Sequence, residues 1–208
     1  DHLLKDNKPS TYLIELDQLG IFEREYPFTM LGQLKTTPQN PVHHPEGSVW
    51  NHTLMVLDNA AERRHLSQDP QVFMWAALLH DLGKATTTKE RKGRITAYDH
   101  DREGQKLAEK FLRELTNDTK FIREVAKMVR WHMQIIFVVK GLPFANVKRM
   151  ASEVSIEEIA LLGFCDRLGR GELTVEKKQE EERTIEKFLW KSMKILQEDN
   201  KEKENIDE

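Results

Sequence analysis

The sequence has little of what would mark a secreted or membrane protein. Cys165 is the only cysteine, so no disulfide can form within the chain, and a buried inert thiol is expected. No apolar run reaches about 18 residues, so no transmembrane helix is expected. The N-terminus has no apolar signal core and no methionine, which favours a cytoplasmic, trimmed chain. The net charge of −3 gives no global argument for nucleic-acid binding.

Hydrophobic residues recur with helical spacing along most of the chain. Residues that favour helix starts and ends divide this pattern into separate helices, and residues 84–98 are polar enough to predict a surface loop. Helix starts are predicted at Ser10, Ser48 and Asp69-Pro70, and helix ends at Gly20 and Gly83. Further helices are predicted over 99–115 and 118–132, and a capping box from Ser155 to Glu158 opens another. The predicted fold class is all-α, a helical bundle.

The last part of the chain differs from the rest. Residues 1–173 are predicted to form one domain, whereas 174–208 are dominated by Glu and Lys. An apolar stripe runs through this segment at Ile185, Phe188, Leu189, Met193 and Leu196. It is expected to pack on its own domain or to pair two chains, and the tail beyond Gln197 is expected to fray.

The most informative feature is the adjacent pair His80 and Asp81, which follows an apolar stretch. An imidazole beside a carboxylate is a poor way to build a core and a good way to hold a metal ion. His52 and Asp166, on other predicted helices, would complete a site with two imidazoles and two carboxylates. Mixed nitrogen and oxygen ligands suit Mn, Fe, Ni, Co or Zn, with Mg as a further possibility.

Two more histidines suggest a second ion. His100 and His132 lie near the ends of separate predicted helices. They could hold that ion with the Asp81 carboxylate as a bridge between the two. The sequence therefore leaves open whether the site holds one divalent ion or two.

The order His52, His80-Asp81, Asp166 resembles the HD superfamily of metal-dependent phosphohydrolases, which is named for this pair. Longer segments are similar to the HD domain at the C-terminus of bacterial CCA-adding enzymes (tRNA nucleotidyltransferases). These segments are residues 8–12, 25–27, 44–47, 50–54 and 77–84. The resemblance implies an HD-domain helical bundle with hydrolytic activity on phosphoesters, including 2′,3′-cyclic phosphodiesterase, 2′-nucleotidase and phosphatase chemistry.

The same resemblance implies roles for individual residues. His52, His80, Asp81 and Asp166 would bind the first metal, and His100 and His132 would complete a second site. The nucleotidyltransferase head of those enzymes is not expected here, so a small phosphorylated substrate, above all a nucleotide, is favoured over tRNA.

Basic residues near the ligands are candidates for phosphate binding. Lys84 follows the pair by one helical turn and is predicted to act in catalysis with Asp81, which could accept a proton from water. A metal ion lowers the pKa of water from about 15.7 toward about 7. The other candidate substrate-binding residues are His44, Arg102, Arg130, Arg167 and Arg170.

The leading hypothesis is a phosphohydrolase that is a monomer or a homodimer and has no membrane partner. One alternative is a di-iron oxygenase built on the same fold. Another is a regulatory module that binds a nucleotide or RNA without turning it over. Metal analysis with an absorption spectrum would separate the phosphohydrolase from the oxygenase, because a di-iron pair absorbs visible light.

Overall fold

A computed structural model describes residues 2–204 of the protein. Helices dominate it, and a single small hairpin, β1 Lys89–Arg91 paired antiparallel with β2 Arg94–Thr96, is the only sheet in this part of the chain. The helices are α1 His2–Lys5, α2 Pro9–Gln18, α3 Ile21–Arg24, α4 Thr29–Gly32, α5 Val49–Arg63, α6 Pro70–Leu79, α7 Lys84–Thr87, α8 His100–Arg113, α9 Thr119–Trp131, α10 Gln134–Lys140, α11 Val147–Glu153, α12 Ile156–Leu168 and α13 Val175–Glu204. Short 3₁₀ turns at Gln33–Lys35 and Arg64–Leu66 follow α4 and α5. The all-α prediction is confirmed.

The core lies among three helices that pack on one another, α5, α6 and α12. Their inward side chains are fully buried, among them Leu57, Phe73, Leu79 and Leu162. Helices α8 and α9 form an antiparallel pair whose α9 side packs on α6. Among residues 2–204, no helix combines the length and apolar character that a membrane span requires.

Several predicted helix starts are confirmed by their hydrogen bonds. Ser48 Oγ accepts from the Asn51 N–H at the start of α5, and the Asp69 carboxylate accepts from two N–H groups of α6. Each cap satisfies backbone donors that the helix itself leaves unpaired. Pro70 occupies the first helical position, where its missing N–H costs nothing.

Two predicted signals act differently in the structure. Ser10 lies inside α2, which begins at Pro9 and ends at Gln18, and its hydroxyl donates to Asp58 Oδ2 at 2.6 Å. Ser155 does cap α12, but the Glu158 carboxylate does not return to it. That carboxylate instead accepts from Ser67 Oγ at 2.7 Å. The capping box is therefore only half formed, and Glu158 ties α12 to the turn before α6.

The prediction for Gly83 is also corrected. Helix α6 ends at Leu79, and Gly83 has an ordinary φ of −64° in the turn that follows. A Cβ at Gly83 would lie 2.1 Å from the His100 carbonyl oxygen. Glycine is therefore required for the close approach of this turn to α8 rather than for a left-handed helix end.

The predicted loop over 84–98 contains α7 and the β1–β2 hairpin. Lys92 and Gly93 take positive φ angles of 51° and 71° at its tip, as a two-residue hairpin turn requires. The polar composition of this segment gave no strand signal, because β1 is exposed and β2 is no more than half-buried.

Helix α13 packs against α10, α11 and α12. Phe188 of its predicted apolar stripe is fully buried, while Met193 is 53% exposed. The helix continues to Glu204 rather than fraying after Gln197, and Lys148 pairs with Asp199 along it. The division of the chain at residue 173 remains a prediction, and residues 205–208 lie outside the described part.

Candidate metal centre

The predicted ligands lie close to helix ends that meet at one place. His52 is in the first turn of α5, the pair His80-Asp81 follows α6 directly, and Asp166 is in the last turn of α12. Asp166 was predicted in the middle of its helix, so its position is corrected. His100 begins α8 and His132 directly follows α9. Ligands at helix ends can converge because side chains there are not shielded by further turns.

The first group of ligands is compact. His52 Nε2 lies 3.0 Å from Asp166 Oδ1, 3.4 Å from His80 Nε2 and 3.6 Å from Asp81 Oδ2. His80 Nε2 is 3.3 Å from the same Asp81 oxygen. Four donor atoms from three parts of the fold thus face one point, as a divalent ion would require.

The second group lies on the other side of Asp81. His100 Nε2 is 3.2 Å from His132 Nε2, and Asp81 Oδ1 is 3.5 Å from His100 Nε2 and 3.8 Å from His132 Nε2. The two oxygens of Asp81 therefore face different groups. This is the geometry of a bridging carboxylate.

The four ligand histidines share one orientation. Each Nδ1 lies within hydrogen-bond distance of a backbone carbonyl: Gly169 for His52, Ala77 for His80, Ala97 for His100 and Val129 for His132. Because a carbonyl can only accept, each Nδ1 must carry the proton. In its neutral form, each ring then directs the lone pair of Nε2 into the centre. This donor set fits a metal ion.

Buried charges in the centre are strongly perturbed. Burial opposes ionisation of Asp81 and Asp166, yet the cations around them hold both pKa values well below the usual range, with Lys84 and His80 acting on Asp81, and Arg170 and His52 on Asp166. Both carboxylates are therefore ionised and able to bind a cation.

The pKa values of His52 and His132, one from each group, are shifted in opposite directions. Burial would lower the pKa of His52, but hydrogen bonding to Asp166 outweighs it and raises the pKa to about 9. Burial lowers the pKa of His132 to about 4, helped by the charges of His100 and His80. A cation between His52 and Asp166 would take the place of the proton that they share.

A cavity of about 430 Å³ opens onto the centre. Lys84 lies in its wall, with Nζ 2.6 Å from Asp81 Oδ2 and 2.8 Å from Gln39 Oε1. Arg170 lies opposite, 3.3 Å from Asp166 Oδ2. Both predicted cations are thus at the centre. Gln39, which fixes Lys84, was not identified from the sequence because nothing in its neighbourhood distinguishes it.

The other predicted phosphate ligands differ in position. Arg167 also lines the cavity, but it is paired with Glu181 of α13 at 2.5 Å. Arg130 pairs with Asp101 and stacks on the Trp131 ring. It lies outside the cavity lining, so its predicted role is not supported.

Arg102 is likewise not brought to the centre. Its side chain is 66% exposed, and its Nε atom lies 3.8 Å from Oδ1 of Asp99, the residue before α8. Its position follows from the helical turn, because Arg102 is two residues beyond His100 and so faces about 200° away from it.

His44 lines the cavity. Glu46, two residues further along the same loop, is not among the residues that the sequence predicts for the site. Glu46 Oε1 is 2.8 Å from His44 Nδ1 and 3.0 Å from His52 Nδ1. Burial would raise the pKa of Glu46, but these imidazoles lower it to about 2. A turn between Pro45 and Gly47 explained the segment well enough that its carboxylate was not singled out.

Comparison with known proteins agrees with the geometry. Residues 49–137 match the family model of the HD domain. This match includes His52, His80, Asp81, His100 and His132.

Curated relatives carry the name multifunctional CCA protein. The chain is 44% identical to the protein of Methylococcus capsulatus over 87 residues, which is 42% of this chain and 19% of the relative. It is 35% identical to that of Alkalilimnicola ehrlichii over 132 residues, 63% of this chain and 30% of the relative. It is also 34% identical to that of Actinobacillus pleuropneumoniae over 119 residues, 57% and 27% respectively. The chain thus spans less than a third of the length of these relatives.

Proposed function

We propose that this HD-domain chain hydrolyses a small phosphoester with water activated by bound divalent metal. The observation that carries the proposal is the position of Asp81, whose two carboxylate oxygens face two separate groups of imidazoles. Burying a carboxylate is costly unless cations surround it, and metal ions held between Asp81 and the two groups of imidazoles would offset that cost together with Lys84.

The residues proposed to hold metal divide into two sets. His52, His80 and Asp166 would bind one ion together with Oδ2 of Asp81, and Asp81, His100 and His132 would bind a second. When bound, divalent ions supply an ionised water at neutral pH and neutralise phosphoryl oxygens. The mixed imidazole and carboxylate donors favour Mn, Fe, Ni, Co or Zn over a metal that needs thiolates, with Mg a further candidate.

The cations beside this centre are suited to a phosphate group. Lys84 Nζ lies against the bridging carboxylate, at the edge of the cavity. The Nε atom of Arg170 is buried and has no hydrogen-bond partner among the described residues. We propose that Lys84 and Arg170 bind phosphoryl oxygens and hold the reacting phosphorus close to Asp81, with Lys84 also balancing the charge that develops on them.

The rest of the cavity wall supports a nucleotide as the substrate. Ile95, Tyr98, Met133 and Ile136 also line the cavity. An apolar wall beside a cationic centre matches a ligand with a flat base and a charged phosphate. A volume of about 430 Å³ suits a mononucleotide.

The test is a hydrolysis assay of the metal-loaded protein with 2′,3′-cyclic nucleotides, 2′- and 3′-nucleotides and simple phosphomonoesters. Turnover of at least one class is expected, with loss on chelation and recovery on adding Mn, Ni, Co or Zn. Lys84→Ala should lower kcat about 100-fold, because it removes a cation from the developing charge. Absence of turnover across the panel in protein shown to hold metal would refute the proposal.

The same sample separates the remaining alternatives. Visible absorption by iron-loaded protein that changes with oxygen would favour the oxygenase. Binding of nucleotide without turnover would favour the regulatory module. The relatives named multifunctional CCA protein are much longer than this chain, so the proposal concerns the hydrolytic centre alone.

A further inference from the structure

Glu46 is a buried carboxylate that the centre described above does not use. Its side chain is 3% exposed, and Oε1 faces the Nδ1 atoms of His44 and His52. Its other oxygen, Oε2, is buried with no hydrogen-bond partner in the described part of the chain. No lysine or arginine whose side chain the structure describes forms an ion pair with it. A half-satisfied buried carboxylate destabilises a fold, so its presence needs another explanation.

His44 is held differently from the four ligand histidines. Each of those donates its Nδ1–H to a backbone carbonyl, whereas His44 Nδ1 lies 2.8 Å from the Glu46 carboxylate. An ionised carboxylate can only accept, so His44 Nδ1 must carry the proton. The Nε2 atom of His44 is then left as the free end of a ring that lines the cavity.

The contact between Glu46 and His52 does not explain why Glu46 is buried here. His52 Nδ1 lies 3.0 Å from Glu46 Oε1 but donates to the Gly169 carbonyl oxygen at 3.1 Å. His52 is therefore already oriented by backbone, as are the other ligand histidines. Within residues 2–204, the His44 ring has no such carbonyl, and its polar partner is Glu46.

The segment that carries both residues is fixed to the metal-ligand helix. Asn51 Nδ2 donates to the Glu46 carbonyl oxygen at 2.9 Å, one residue before His52 on α5. Gly47 has a φ of 98°, which lets the chain turn sharply between Glu46 and the Ser48 cap. His44 is thus held at a set place relative to the ligands.

We propose that Glu46 is a positioning residue that orients His44 toward the substrate. The inference rests on the proposed phosphoester hydrolysis. His44 Nε2 contacts the substrate in the cavity, and Glu46 fixes the ring by accepting its Nδ1–H. Glu46 acts through His44 and not through the metal ligand His52.

The activity test uses Glu46→Ala, Glu46→Gln, His44→Ala and the double variant His44→Ala/Glu46→Ala. Glu46→Ala should lower kcat about tenfold, the size expected when a charged hydrogen bond that fixes a side chain is lost. Glu46→Gln should recover much of this, because its amide oxygen still accepts from His44. The double variant should be no slower than His44→Ala.

Two readouts do not depend on turnover. Metal affinity of Glu46→Ala, measured by calorimetry, should stay within about twofold of wild type, because removing an outer partner of a true ligand costs about 10- to 100-fold. In metal-free protein labelled with ¹⁵N-histidine, the His44 ring signal, assigned by its loss in His44→Ala, should show a protonated Nδ1 that Glu46→Ala removes. Glu62→Gln, an exposed carboxylate on α5, is the matched control and should change nothing.

Other outcomes would overturn the inference. A loss of metal affinity in Glu46→Ala that persists in the His44→Ala background would assign Glu46 to His52. A double variant slower than either single variant by the product of their effects would show that Glu46 acts independently of His44. If Glu46→Ala fails to fold, Glu46→Gln is tested alone and must keep the His44 Nδ1 proton. Wild-type protein without turnover would refute the proposed function, yet the ring signal would still test the contact.

Discussion

At the scale of single residues, the molecule concentrates its unusual chemistry in a few side chains. Asp81 is 2% exposed, is ionised, and lies within 4 Å of a lysine and four imidazoles. Most buried positions around it are apolar, so the cost of this charge must be met by cations. A metal ion would meet it better than the Lys84 ammonium group alone.

Replacing Asp81 by Asn tests this. The amide keeps the size of the side chain but carries no charge, so both metal groups lose their shared ligand. Metal affinity should fall by more than about 100-fold, beyond the loss expected for an outer partner, and turnover should disappear. Calorimetric titration with Mn²⁺ measures the affinity.

Asp6→Asn is the control for Asp81→Asn, since Asp6 is partly exposed, forms an ion pair with His2 and lies outside the centre. Unchanged metal affinity in Asp81→Asn would remove this residue from the metal centre.

At the scale of secondary-structure elements, the site depends on how closely helix ends approach. The turn after α6 lies against α8, where the Gly83 and Gly104 backbones meet. This approach brings His80 and Asp81 from one element next to His100 from another. Without it the two ligand groups would be separate.

Gly83→Ala should therefore destabilise the protein by about 3 kcal/mol, because the added methyl would lie 2.1 Å from the His100 carbonyl oxygen and 2.6 Å from the Gly104 nitrogen. Chemical denaturation measures the free energy of unfolding. Gly104→Ala is a graded control, since its nearest contact is the movable end of Val129 at 3.1 Å. Equal effects of the two substitutions would contradict the close approach.

Helix α13 shows a second element-scale dependence. It covers α10 to α12, and its Glu181 holds Arg167 at the cavity. Within α13, the side chain of Phe188 is fully buried, whereas that of Trp190 is 62% exposed. The helix therefore belongs to the packed part of the molecule rather than extending from it.

Phe188→Ala should lower the free energy of unfolding by about 3–5 kcal/mol, the usual cost of emptying a buried aromatic position. Trp190→Ala is the control and should cost less than about 1 kcal/mol, because surface substitutions are mostly small in effect. Thermal unfolding followed by circular dichroism compares them. A similar melting temperature for Phe188→Ala and wild type would mean that α13 contributes little.

At the scale of the whole molecule, the centre joins most of the fold. Its proposed ligands come from α5, α8 and α12 and from the turns after α6 and α9. Bound metal would therefore restrain elements far apart in sequence. A ligand that binds only the folded state stabilises it by mass action.

Metal should accordingly raise the melting temperature of chelator-treated protein. At 100 times the dissociation constant the stabilisation is about 2.7 kcal/mol, and differential scanning calorimetry measures it. The effect should shrink as pH falls from 7 to 5, because protons compete with metal for the imidazoles. Asp81→Asn should show no shift, and an equal shift in that variant would place the stabilising ion elsewhere.

The sequence alone determined the fold class, most helix starts and the identities of the candidate ligands. Helical periodicity, side chains such as Ser48 and Asp69 that cap by local hydrogen bonds, and the His80-Asp81 pair are all short-range features. They depend on neighbours within a few residues, so they can be predicted without knowing the fold.

Only the tertiary structure decided which charged residues share the centre. Lys84 and Arg170 reach it, while Arg102 faces solvent and Arg130 is paired with Asp101. The tertiary structure also placed Glu46 beside His44 and His52. It made glycine necessary at position 83, where the chain approaches α8, and it turned the two oxygens of Asp81 toward different histidines. Such contacts depend on the packing of helices distant in sequence, where a rotation of about 100° per residue decides whether a side chain faces the cavity or solvent.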